Sequence, residues 1–81
     1  MSAYGTTQAT VTLAVTGMSC GSCRRRVEEA LRAVEGVESA EVDLSVSRAV
    51  VQIAEDGPAV GALVAAVREA GYGASLVARA D

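Results

Sequence analysis

"VESAEVDLSVSRAVVQIA", residues 37–54, decides the fold. It contains two alternating runs. In the first, Ala40, Val42 and Leu44 share one face, and Glu41 and Asp43 share the other. In the second, Ala49, Val51 and Ile53 share a face. Period-two alternation marks a half-buried strand, because successive side chains point to opposite sides of a sheet. The link "SVS" (45–47) is short and polar enough to turn, so the stretch predicts a β-hairpin.

Upstream, "ATVTLAV" (9–15) alternates as well, with Val11, Leu13 and Val15 on one face. A glycine-bearing loop, "GMSCGSC" (17–23), follows. Next comes "RRRVEEALRAVEG" (24–36), where Val27, Ala30, Leu31 and Val34 recur at i, i+3, i+4, i+7. That spacing predicts an amphipathic helix, with Gly36 just past its C-terminus. The pairs Arg24–Glu28, Arg25–Glu29 and Glu28–Arg32 are spaced to support its outer face, each by about 0.2–0.5 kcal/mol. Downstream of the hairpin, "EDGP" (55–58) offers Asp56 or Gly57 as a cap and Pro58 for the first helical position. "AVGALVAAVREAG" (59–71) carries Val60, Leu63, Val64 and Val67 at helical spacing and ends on Gly71. "GASLVA" (73–78) predicts a final short strand.

The order is therefore β-α-β-β-α-β. Its halves form a loose repeat: "AVEGVESAEV" aligns with "REAGYGASLV" at Gly36 and Gly71. Right-handed crossovers then give an α+β ferredoxin-like sandwich, a four-stranded antiparallel sheet with both helices on one face. Thr10, Thr12, Glu41, Asp43 and Gln52 fall on the outer face of the sheet. Residues 1–8 are expected to form a flexible tail, and 9–79 the domain.

The chain has 81 residues, enough for one small domain. Apolar residues make up 51%, but the only aromatics are Tyr4 and Tyr72, so the core must be Val, Leu, Ile and Ala. A net charge of −3, with no aromatics interleaved among basic residues, argues against a nucleic-acid partner. "AVGALVAAV" (59–67) is too short to span a bilayer, and "MSAYGTTQAT" (1–10) has no basic n-region or apolar h-region. The expectation is a cytoplasmic chain without direct membrane insertion.

Cys20 and Cys23 are the only cysteines. Two thiols do not make the disulfide framework of a secreted domain. In a reducing compartment such a pair points to metal binding or redox catalysis. The helix that follows presents roughly half a positive charge at its N-terminus, and Arg24, Arg25 and Arg26 add more. Both favour the thiolate, and the thiol pKa is expected to fall, at least at Cys23. Thioredoxins and glutaredoxins also place Cys-x-x-Cys at a helix start, but they need a cis-proline opening a later strand. The single proline, Pro58, opens a helix here, which makes a thiol–disulfide oxidoreductase the weaker alternative. Structural zinc wants four ligands, and the chain has no histidine and no third cysteine. Two soft thiolates alone suit Cu(I), the common biological case, and also accept Hg(II) or Ag(I). No residue set points to chemistry on a substrate, so the chain is read as no enzyme.

The stretch "GMSCGSC…VEEALRAVEGVESAEVDLSVSRAVV…LVAAVREAGYGA" resembles a heavy-metal-associated domain across residues 9–78. Gly17, Met18, Cys20 and Cys23 match the family motif Gly-Met-x-Cys-x-x-Cys, and "AGY" (70–72) matches downstream. The family includes soluble copper chaperones, N-terminal domains of copper-transporting P-type ATPases, and mercury-resistance proteins. The resemblance implies that Cys20 and Cys23 ligate Cu(I). It also implies that Met18 packs beneath the loop and that Tyr72 lies on a neighbouring loop close to the metal. Gly17, Ser19, Ser22 and Arg24 complete the surroundings. A thioether ligand at Met18, or a plain core-edge role for Tyr72, are the competing readings. The arginine run is either a solvated face or a charge that offsets the metal–bis(thiolate) and steers an acidic partner. The implied function is binding and handover of Cu(I), with a mercury(II)-binding domain as the alternative. The implied partner is a copper-transporting P-type ATPase or another thiolate-bearing metal-transfer protein. A homodimer bridged by one metal through four thiolates is also open.

Overall fold

The computed structural model describes residues 8–19, 21–54 and 57–80. The expected flexible tail falls on residues 1–7, which lie outside the described residues, together with Gln8, which opens the first strand. The elements are β1 (Gln8–Thr16), α1 (Gly21–Arg32), β2 (Val37–Asp43), β3 (Arg48–Ala54), α2 (Val60–Glu69) and β4 (Gly73–Ala80). The strands form one sheet in the order β2-β3-β1-β4, and every neighbouring pair is antiparallel. α1 packs against β2, α2 packs against β4, and the two helices touch each other. This is the ferredoxin-like sandwich.

The core follows the two periodicities. Val11, Leu13 and Val15 of β1 and Ala49, Val51 and Ile53 of β3 are buried from the sheet. Val27 and Leu31 of α1, and Leu63 and Val67 of α2, close over them. Burying each such Val or Leu contributes about 1.5–3 kcal/mol against the entropy of ordering the chain. On the outer face, the Thr10 hydroxyl donates to Gln52 Oε1 at 2.9 Å across the β1–β3 ladder.

The hairpin forms as read, with one trimming. β2 ends at Asp43, and Leu44 opens the turn instead of closing the strand. Asp43 Oδ1 accepts from the Ser45 N–H at 2.9 Å and from Ser45 Oγ at 2.6 Å. These hydrogen bonds hold the Asp43 carboxyl below its ordinary pKa. The Ser47 carbonyl accepts from the Val15 N–H at 2.9 Å, tying this turn to the end of β1.

Four expectations need correction. α1 begins at Gly21, three residues before Arg24, and ends at Arg32. Gly36 is therefore not its cap. It sits in the following turn at φ +95, where an added Cβ would lie 2.6 Å from Pro58 Cδ. Pro58 is not the first residue of α2 either. Ala59 is the N-cap, without a side-chain cap bond, and Pro58 instead packs over Gly36. Of the proposed caps, Gly57 lies two residues before Ala59, and Asp56 lies outside the described residues. β4 runs on to Ala80 through a register shift opposite Thr12 and Leu13, which alternation alone does not reveal.

Of the three expected ion pairs along α1, Arg24–Glu28 forms at 3.6 Å. Glu28 and Arg32 reach β2 instead of each other. Glu28 Oε2 accepts from the Val42 N–H at 3.0 Å, and an Arg32 guanidinium N–H donates to the Ala40 carbonyl at 2.8 Å.

Candidate metal centre

Cys23 is the third residue of α1 and is half-buried. It lies four residues before Val27 and eight before Leu31, on the stripe that faces the core. An apolar stripe counted from Val27 puts Cys23 only at the junction of loop and helix, whereas α1 begins two residues before it. The same four-residue step, extended one turn upstream, carries Cys23 with it. Cys20 lies outside the described residues.

Two hydroxyl groups converge on the Cys23 sulfur. Ser19 Oγ lies 3.9 Å from Sγ, a hydrogen bond in which either atom can donate. The Tyr72 hydroxyl is the second, and its interaction with Cys23 raises the phenol pKa above 10.0, helped by desolvation. The guanidinium of Arg26 pulls the other way without overcoming it. Arg26 is three residues after Cys23, so it lies on the same side of the helix. Of the run, Arg24 is the residue expected beside the metal. Arg24 is turned towards Glu28.

Tyr72 reaches this point because of how α2 ends. Gly71, at φ +100, donates its N–H to the Arg68 carbonyl at 2.9 Å, and Tyr72 donates to the Val67 carbonyl at 3.1 Å. That nested pair is a Schellman closure, which needs a left-handed residue and finds it in glycine. It aims the chain so that the Tyr72 ring lies over Gly17, itself at φ +92, with Cδ1 3.5 Å from where a Cβ would stand. Met18 is half-buried and packs against the core cluster. Ser22 is exposed at the second position of α1. The residues brought together are thus Gly17, Ser19, Cys23, Arg26 and Tyr72, with Met18 beneath. The arrangement offers a soft sulfur donor, partly open to solvent, at the start of a helix and beside two hydroxyls.

Residues 12–73 match the family described as "Heavy-metal-associated domain". The chain is 46% identical, over 85% of its length, to Copper-transporting ATPase 2 of Rhizobium meliloti (strain 1021), and spans 8% of that ATPase. A solved structure of a CopZ metallochaperone is similar at 38% identity with a TM-score of 0.78, covering 82% of this chain and 98% of the other. Oxidised MerP from Ralstonia metallidurans CH34 is similar at 36% identity with a TM-score of 0.83, covering 89% of this chain and 100% of the other.

Proposed function

Because the chain belongs to the heavy-metal-associated domain family, we propose that it binds one Cu(I) ion through Cys20 and Cys23 and passes it on by thiolate exchange. The observation that carries this reading is Cys23 itself, half-exposed in the first turn of α1 with Ser19 and Tyr72 on its sulfur. Thiolate donors without imidazole select soft ions, and the chain contains no histidine. Copper is favoured over other soft ions by the relatives, which include a copper-transporting ATPase and a metallochaperone.

A two-coordinate site is open to attack. A thiolate of the partner adds to the bound ion and gives a three-coordinate intermediate shared by both proteins. One original thiolate then leaves, and each sulfur keeps its electron pair throughout, so no redox step is involved. Cys23 is fixed by the helix, and Cys20 is the ligand released first. The partner is a protein bearing a similar thiolate pair, such as a copper-transporting P-type ATPase, and the domain itself catalyses nothing. It acts in the cytoplasm, as a free carrier or as one domain of a transporter.

Hg(II) is the second reading. Two thiolates hold it in a line, and a donor set of two cysteines without histidine fits it as a soft ion too. The test is the pair of single substitutions Cys20→Ser and Cys23→Ser. Each should retain the fold and lose competitive Cu(I) binding. Retention of that affinity in both variants would contradict the proposal.

A further inference from the structure

β2 is an edge strand, and an exposed edge is a template for another strand. In an antiparallel sheet, alternate residues turn both backbone groups towards the same side. In β2, Ala40 and Val42 turn theirs away from β3, and α1 meets both. Glu28 Oε2 takes the Val42 N–H at 3.0 Å, and Arg32 gives a guanidinium N–H to the Ala40 carbonyl at 2.8 Å. One acceptor and one donor, one helical turn apart, thus stand where a fifth strand would supply a carbonyl and an amide. Arg24 steadies the acceptor by pairing with Glu28 at 3.6 Å. An open groove of about 700 Å³ lies alongside, lined by Arg24, Glu28 and Arg32 from α1 and by residues of β2 and its turn. An added strand would occupy this groove.

We infer that Glu28 and Arg32 guard the β2 edge, and that the partner they exclude is β2 of a second copy of this chain. The two edges would otherwise pair antiparallel about a two-fold axis and join two sheets into one of eight strands. Both guarding groups are ionic, so each bond to the backbone is stronger than a neutral one. Both also sit on a helix anchored in the core, so the guard is held in place by Val27 and Leu31. The inference does not depend on the metal reading.

The test uses the full chain, metal-free and reduced, so that metal bridging cannot contribute. The unsubstituted protein should sediment as a monomer from micromolar to millimolar concentration. The double variant Glu28→Ala/Arg32→Ala should show a concentration-dependent dimer in the same range. When dilute and monomeric, it should exchange the Val42 amide about tenfold faster than the parent, the loss expected for one charge-assisted bond. The matched variant Arg25→Ala/Glu29→Ala, on the exposed face of the same helix, should stay monomeric. If the double variant does not fold, Glu28→Ala alone carries the test, with the same two readings at smaller size. A folded double or single variant that remains monomeric, or a parent that already dimerises through β2, overturns the inference.

Discussion

The two helix-to-strand turns look equivalent in the sequence and behave differently in the fold. Gly36 and Gly71 occupy the same place in the internal repeat, and both adopt left-handed backbone, at φ +95 and +100. Gly71 closes α2 directly and sends the next residue, Tyr72, to the Cys23 sulfur. Gly36 comes four residues after the end of α1, under Gly57 and Pro58, and the next residue, Val37, packs on the core. One turn builds the site, and its counterpart holds the far end of the sandwich shut. The repeat accounts for the architecture. Its broken symmetry, tyrosine against valine, puts a hydroxyl beside Cys23 at one turn and an apolar side chain on the core at the other.

Substitution should separate the two turns. Gly36→Ala meets both an unfavourable backbone region and Pro58 Cδ at 2.6 Å, and should cost roughly 2–4 kcal/mol. Gly71→Ala meets only the backbone penalty, since nothing lies within 4 Å of its Cβ, and should cost about 1–2 kcal/mol. Thermal unfolding of the metal-free proteins measures both. Equal losses would mean that the packing of Pro58 on Gly36 adds nothing.

A smaller effect is expected from Tyr72→Phe, which keeps the ring over Gly17 and removes the hydroxyl. Stability should change by less than about 0.5 kcal/mol, while Cu(I) retention against a chelator weakens by roughly threefold to tenfold. An unchanged metal affinity would reduce Tyr72 to a packing residue, as Val37 is.

The hairpin turn supplies the smallest and most local contrast, because Asp43 holds it through Ser45, and Ser47 takes the left-handed position, at φ 53, without any glycine. The folded-state pKa of Asp43 is lowered, chiefly by the Ser45 hydroxyl. A lowered carboxyl pKa adds stability that is present above the ordinary value near 3.8 and lost as pH falls through the folded value. Ser45→Ala should move the Asp43 titration, followed by carboxyl NMR, up towards 3.8. An unmoved titration would assign the lowering to the backbone bonds instead.

Much of this was legible because period and burial agree. The alternation of Ala49, Val51 and Ile53 gave β3 its bounds at Arg48 and Ala54, and Leu63 and Val67 gave α2 its buried face, with Val60 and Val64 packed at its margin. What was not legible depends on contacts between distant segments. Gly36 read as a helix cap, since nothing local announces that Pro58 will press on it. Cys23 was legible at the start of the helix, but not as part of its core-facing stripe, since the apolar count begins one turn later at Val27. Glu28 and Arg32 read as an ordinary i, i+4 pair, because their backbone partners on β2 come into reach only when the sheet is formed. Among the described residues around the sulfur, the motif and its surroundings point to Gly17, Met18, Ser19, Cys23 and Tyr72; the arginine run is visible as nearby charge, but not that Arg26 is the member that faces Tyr72.

The most direct measurement is an anaerobic titration of the reduced protein with Cu(I) against a competing chelator, with Zn(II) and Hg(II) in parallel. The account predicts saturation at one Cu(I) per chain and a far weaker hold on Zn(II). A protein that binds neither Cu(I) nor Hg(II) under those conditions, or that holds Zn(II) more tightly than both, would contradict it.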